Sequence, residues 1–199
     1  MAFWNRFRKS GSHDKSPDWA EGLEQKSILQ AEKSLQVDPS NAEAYCQIAT
    51  AKHSLGLRLL VQRKDGTKEF HEAERVLKKA ILVDPEHHSA HSLLGEVYLS
   101  LKRPGHAVEA FKIALHLQPD EPENYINLSQ ALGEQGNPGE ATRVLKQGVR
   151  LLPDAPRLHF QLGLDYCVAG EKALAFEEYS ILTGLDEPMA SMLLQFLYG

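Results

Sequence analysis

From Asp18 onward the apolar residues fall at helical spacings, and the pattern restarts at regular intervals. Ile28, Ala31, Leu35 and Val37 fit one buried face of a first helix. Asp38-Pro39 ends it, because proline disfavours helical geometry in the residue before it. Tyr45, Ile48, Ala49 and Leu55 then mark one helix, and Phe70, Ala73, Leu77 and Ala80 a second. The same pair returns as His91, Leu94, Gly95 and Tyr98 followed by Ala107, Phe111 and Ala114. It returns again as Tyr125, Leu128, Ser129 and Leu132, then Gly136, Ala141, Leu145 and Gly148. A fourth copy reads His159, Leu162, Gly163 and Tyr166, then Gly170, Ala175 and Tyr179. Ala190–Tyr198 predicts a short, very apolar last helix.

Prolines set the period. Pro85, Pro119 and Pro153 are 34 residues apart, while Pro39 precedes Pro85 by 46, which leaves 12 extra residues at Leu57–Lys68. Two helical patterns per 34-residue unit signal a helix-turn-helix solenoid, because one unit cannot bury its own apolar face and stacked neighbours can. The expected units are a partial repeat at 18–41, repeats at 42–87 (with the insertion 57–68), 88–121, 122–155 and 156–189, and a capping helix at 190–199. Gly95, Gly163, Ala107 and Ala141 let helix backbones approach, and Tyr98, Phe111 and Tyr166 fill the adjacent holes. The fold expected is all-α, with an open curved wall and no enclosed catalytic cleft.

These residues make the chain resemble the tetratricopeptide repeat family over about Asp18–Gly199. Leu94-Gly95, Tyr98, Ala107, Phe111, Ala114 and Pro119 match the family pattern almost completely. Departures are Lys52 where Tyr is usual, Ser129 where Gly is usual, and Glu187-Pro188, where proline comes one residue late. The resemblance implies a right-handed α-α superhelix with an orphan amino-terminal helix and a carboxy-terminal cap. It also implies a scaffold or adaptor that binds a peptide or partner helix in a concave groove lined by first helices. By offset, Glu43, Cys46, Gln47, Thr50 and His53 would line it in the first unit, then Ser89, Ser92, Leu93, Glu96 and Leu99 in the second. Glu123, Ile126, Asn127 and Gln130 would follow, then Arg157, Phe160, Gln161 and Leu164. That wall starts polar and acidic, turns more apolar, and suits a segment with apolar anchors and a basic residue. The plainer reading makes these residues solvated faces of structural helices. Family members that capture a carboxy-terminal carboxylate use lysines, arginine and asparagines where this chain has Cys46, Thr50, Leu93, Glu123 and Asn127. The cations that would pair with carboxylate are missing there.

Composition narrows the chemistry. The 199 residues carry a net charge of −5, which argues against nucleic acid, since phosphate neutralisation needs a basic face. Two cysteines, Cys46 and Cys167, fall in different repeats, so free thiols in a reducing, cytoplasmic setting are expected. His87, His88 and His91 cluster, yet two sit at a turn, one holds the packed aromatic position, and no ligand set is complete, so no metal is expected. No phosphate loop, nucleophile elbow or kinase motif occurs, so neither enzymatic activity nor a cofactor is expected.

Residues 1–17 read as a disordered aromatic and basic tail. Phe3, Trp4, Arg6, Phe7, Arg8 and Lys9 would give weak, peripheral membrane contact, or would fold back onto an exposed apolar face. That tail supports a second reading, a self-assembling structural protein on the cytoplasmic face of a membrane. The insertion 57–68 reads as about two added helical turns and an Asp-Gly turn, which either cover the orphan helix or present a partner-binding element. Met192, Leu193, Leu194, Phe196 and Leu197 leave the last helix little polar face, which points to a homo-oligomer contact.

Overall fold

The computed structural model describes residues 18–198, which form ten helices and no strand. The readings made for 1–17, including membrane contact by Phe3, Trp4, Arg6, Phe7, Arg8 and Lys9, lie outside the described residues. The helices are α1 (Asp18–Val37), α2 (Ala42–Val61), α3 (Thr67–Val83), α4 (His88–Ser100) and α5 (Pro104–Leu117). They continue as α6 (Pro122–Glu134), α7 (Pro138–Leu151), α8 (Pro156–Ala169), α9 (Lys172–Leu185) and α10 (Glu187–Tyr198).

Local chemistry sets the ends. Pro104, Pro122, Pro138 and Pro156 open their helices, where a missing N–H costs nothing. Asn41 caps α2 by accepting the Ala44 N–H at 3.0 Å. The turn after each first helix puts one residue in the left-handed region: Arg63, Lys102, Gly136 and Gly170. The last three are 34 apart, and Arg63 follows Pro39 by seven residues more than Lys102 follows Pro85. Seven of the twelve extra residues lengthen α2 relative to α4, three lengthen α3 relative to α5, and two lie in the loop. Seven residues is close to two helical turns, so the face of α2 that packs on α3 stays in register. The added turns pack on themselves and on α1. A Cβ on Gly56 would stand 2.5 Å from the Phe70 ring, as one on Gly95 would from Phe111. Arg58 of the same extension meets Glu24 of α1 at 2.8 Å.

Layering follows from who touches whom. Successive first helices α2, α4, α6, α8 and α10 pack on one another, whereas α3, α5, α7 and α9 touch only first helices. The first helices therefore form the inner, shorter arc of the solenoid. Between the layers runs a core from Cys46 and Phe70 through Leu77, Leu94 and Phe111 to Leu128. It passes on through Tyr125, Leu145, Leu158 and Leu162 to Leu197.

One contact recurs in every repeat. The Tyr45 hydroxyl donates to the Pro39 carbonyl at 3.2 Å, the His91 imidazole to Pro85 at 2.8 Å, the Tyr125 hydroxyl to Pro119 at 2.8 Å and the His159 imidazole to Pro153 at 2.8 Å. Each fourth-position ring thus satisfies a carbonyl of the turn between repeats that takes no backbone N–H. A ring with a polar edge fits here, and Phe would not.

Two expectations need correction. Val37, assigned to the buried face of α1, is 88% exposed, because the helix has run past α2 by its last turn. The last helix starts at Glu187, three residues before the expected 190, as Asp186 caps it by accepting the Met189 N–H at 2.9 Å. It also buries Ala190, Leu193 and Leu197, so only part of its apolar surface, including Met192, Phe196 and Tyr198, faces outward.

Candidate functional site

An open cavity of about 570 Å³ sits at the amino-terminal end of the inner wall, between α1, α2 and α4. Helical periodicity explains which residues enter it. Glu43, Cys46, Gln47, Thr50 and Ser54 fall at i, i+3, i+4, i+7 and i+11 on α2, and Ser89, Ser92, Leu93 and Glu96 at i, i+3, i+4 and i+7 on α4. Half of the lining is therefore small residues, chiefly hydroxylic, with Leu93 on one side and Leu23 of α1 on the other.

Several polar groups in it already have partners. Thr50 donates its hydroxyl to the Cys46 carbonyl at 2.9 Å, and Gln47 donates to Glu43 at 3.4 Å. Glu43 also faces the His87 Nε2 at 3.6 Å. His88 bonds Asn124 at 3.0 Å, and Asn124 donates in turn to the Gln118 carbonyl at 2.7 Å. Glu96 differs. Burial pushes its carboxyl above the usual range, and the charge of Glu123 pushes it further. Among the described residues no Lys or Arg pairs with it; the nearest imidazole, His53, lies at 4.0 Å and is held toward neutrality by burial.

Cys46, His87 and Glu43 resemble a thiol–imidazole–carboxylate relay, with Cys46 Sγ 3.8 Å from His87 Nδ1. The arrangement does not make a nucleophile. His87 Nδ1 accepts the Ala90 N–H as the cap of α4, so the imidazole has no free lone pair there to take the thiol proton. Burial, with Glu43 and Asp84 nearby, pushes the Cys46 thiol up to about 12. A thiol held there carries almost no thiolate near neutral pH.

Of the groove residues expected from sequence, the structure gathers Glu43, Cys46, Gln47, Thr50, Ser89, Ser92, Leu93 and Glu96 around this cavity. The others lie elsewhere. His53 is buried, bonded to Ser100 at 2.9 Å and stacked near Phe70, so it is closed to a ligand. Leu99 packs on the core. Glu123 and Arg157 form an ion pair across adjacent repeats, and Ile126 packs on the second core cluster. Asn127 is half-buried, and Gln130 is exposed and donates to Glu134 at 3.4 Å. Gln161 donates to Asp165 at 3.3 Å. Phe160 and Leu164, expected as apolar anchors, pack instead on Leu182, Ala190 and Leu193, because α10 lies against that part of the wall. Leu23, Glu24 and Ser27 line the cavity without having been expected there. A second helix of a partial repeat belongs by offset to the outer layer, and no spacing signal places its first turns at the wall. Ser54 carried a signal, since it lies one turn beyond Thr50 on the same face.

The family model for the tetratricopeptide repeat matches residues 60–122. No curated protein sequence matches the chain. Among solved structures it is similar to MamA, with 20% identity, a TM-score of 0.67, and 86% of this chain and 93% of that one covered. It is similar to TTC0263 of Thermus thermophilus at 20% identity and a TM-score of 0.65, covering 90% and 93%. It is also similar to YrrB, described as a tetratricopeptide protein with an unusual peptide-binding site, at 18% identity and a TM-score of 0.60, covering 84% and 90%. Identities this low carry the fold alone. Among the described residues no helix is long and apolar enough to cross a membrane.

Proposed function

We propose that this chain, which matches the tetratricopeptide-repeat model over residues 60–122 and shares its fold with solved tetratricopeptide proteins, is a protein-interaction scaffold whose peptide-binding site is the cavity between α1, α2 and α4. The observation that carries this reading is the cavity itself: a concavity of about 570 Å³ on the inner arc, large enough for two or three side chains and open to an extended backbone. YrrB, whose fold is shared, is described as having a peptide-binding site, which agrees with the reading. The lining sets the ligand class. Hydroxyls of Ser27, Ser54, Ser89 and Ser92 can bond a peptide backbone, Leu23 and Leu93 can clasp an apolar side chain, and Glu96 favours a cation. No chemistry is assigned to the site, since the thiol in it is held protonated.

Selection of peptides from a random display library on the purified chain tests this. Enriched sequences are expected to combine an apolar residue with Lys or Arg. Their affinity should fall by about tenfold or more when Ser92→Arg fills the cavity, a loss of about 1.4 kcal/mol. Phe160→Ala, at the closed end, should leave it unchanged. Selected peptides indifferent to Ser92→Arg, or a screen that enriches none, would remove the assignment.

A further inference from the structure

Glu96 is a carboxylate in a concave site without a cationic partner among the described residues, and the chain itself carries a cationic segment eight residues before α1 in the sequence. Helix α1 begins at Asp18, and Leu23, five residues on, lines the cavity. The first turns of α1 therefore stand at the cavity rim, about 8 Å along its axis from Leu23. Residues Ser10–Pro17 separate α1 from the sequence Phe3-Trp4-Asn5-Arg6-Phe7-Arg8-Lys9. Eight residues span up to about 26 Å when extended. Two neighbouring helix axes are crossed in about 20 Å, so that length reaches from α1 across α2 to Glu96 on α4.

We propose that Phe3–Lys9 docks in the cavity between α1, α2 and α4 of its own chain, with its cations at Glu96 and Glu43 and an aromatic ring between Leu23 and Leu93. This inference rests on the reading of the cavity as a peptide site. Three features converge on that occupant. The charges are complementary: three cations lie within four residues of the tail, against Glu96 and a Glu43 whose only ionic partner among the described residues is an imidazole. The apolar parts match, since Leu23 is 56% exposed at the rim and the tail offers three aromatic rings. Burial and the neighbouring Glu123 make the Glu96 carboxylate costly in the empty cavity, so an incoming cation gains more there than at an open surface. Tethering does the rest. A short linker gives an effective concentration on the order of 1 mM, so an intrinsic Kd of about 100 µM already keeps the cavity mostly filled. An outside peptide then meets a competitor, and its apparent affinity drops by about tenfold.

Hydrogen-exchange mass spectrometry on the full chain reads the docking directly. Amides of residues 3–9 should be protected in the wild type, exposed in Glu96→Lys, and protected again when Arg6→Glu, Arg8→Glu and Lys9→Glu are added to Glu96→Lys. The protection should not change with protein concentration. A tail that exchanges freely in the wild type, protection indifferent to Glu96→Lys, protection that grows with concentration (a second copy), or protection that needs phosphatidylserine vesicles (a membrane) would each overturn it. A second arm separates this failure from failure of the peptide-site reading. A labelled peptide of residues 1–9 is titrated into the wild type and into the chain with the three tail cations reversed. Binding about tenfold tighter to the reversed-tail chain is expected. Equal binding to both sinks the docked tail and keeps the peptide site. Binding to neither, while library peptides still bind, sinks the tail as occupant. Binding of no peptide at all sinks both.

Discussion

The two ends of the inner wall are capped by single extra helices, with opposite results. At the carboxy-terminal end α10 drives Leu193 toward Gly163 of α8, where an added Cβ would stand 2.5 Å from its methyl group. Ala190 and Leu193 then cover Phe160 and Leu164. At the amino-terminal end α1 offers Leu23, Glu24 and Ser27 to the same inner face, and a cavity stays open. The two caps enter differently: α10 packs on both α8 and α9, whereas α1 packs on α2 alone, and only α10 brings a bulky apolar side chain against a glycine. A cap closes the wall when it supplies a knob for a hole, and it forms a binding site when its facing positions are polar or short.

Breaking the closed end should have the largest effect. Leu193 is fully buried against Leu182 and Ala190, and its truncation leaves a cavity. Leu193→Ala is expected to cost about 3 kcal/mol. Urea unfolding followed by far-UV circular dichroism should show a lower midpoint or a separate early phase, since end repeats of a solenoid can fray on their own. The same change should expose Phe160 and Leu164 and make this end bind hydrophobic dyes. A variant as stable as wild type would mean α10 does not hold the wall shut.

The closed end also carries a buried histidine–carboxylate contact. His159 Nδ1 lies 2.7 Å from Glu178, while Nε2 donates to the Pro153 carbonyl. With acceptors on both nitrogens the surroundings favour the charged form of the imidazole. The hydrogen bond to Glu178 raises its pKa first, with help from the Pro153 carbonyl and the charges of Glu178 and Asp154, against a desolvation penalty. A folded pKa above the unfolded value of about 6.5 stabilises fully below that pH and less as pH climbs through the raised value. Glu178→Gln should therefore cost about 1–2 kcal/mol near pH 6, and the gap from wild type should narrow as pH rises. Thermal melts of both proteins at a series of pH values test the sign. His91 holds the same repeat position with the Pro85 carbonyl engaged, but Ala110 stands two periods before Glu178, so the carboxylate is what sets the closed end apart. A gap that widens toward alkaline pH would reverse the assignment of charge.

How much of this was legible in the sequence follows from what the period can encode. Spacing of 34 fixes which residues face a neighbouring repeat, because every interior repeat sees the same surroundings. The helix pairs, the buried positions such as Leu94, Ala107 and Phe111, and the ring at position four were therefore readable. Ends break that rule. Val37, the early start of α10, the covering of Phe160 and the entry of Leu23 into the cavity all arise where a helix has a neighbour on one side only. His53 failed for a related reason, since the seven residues added to α2 give that face a longer partner and bury it against Phe70. The pairing of Cys46 with His87 was out of reach, because it joins residues 41 apart that no motif links.

The smallest expected effect lies between the two ends. Arg157 of α8 grips Glu123 of α6 with both terminal nitrogens, and its side chain is mostly exposed. An exposed pair of this kind contributes about 0.5 kcal/mol, so Arg157→Ala should scarcely move the unfolding midpoint. Its consequence lies across the wall instead. Glu123 is the charge that raises Glu96 beyond the effect of burial, and Arg157 is the cation paired with Glu123. Without the guanidinium, Glu96 should titrate at a higher pH still, and a cationic ligand in the cavity should gain affinity by a factor of about two at low salt, the gain fading as ionic strength rises. NMR titration of the Glu96 side-chain carboxyl in wild type and Arg157→Ala measures the first effect. An unchanged Glu96 titration would show that the open end is electrostatically isolated from the rest of the inner arc, and that its preference for cations is set by α1, α2 and α4 alone.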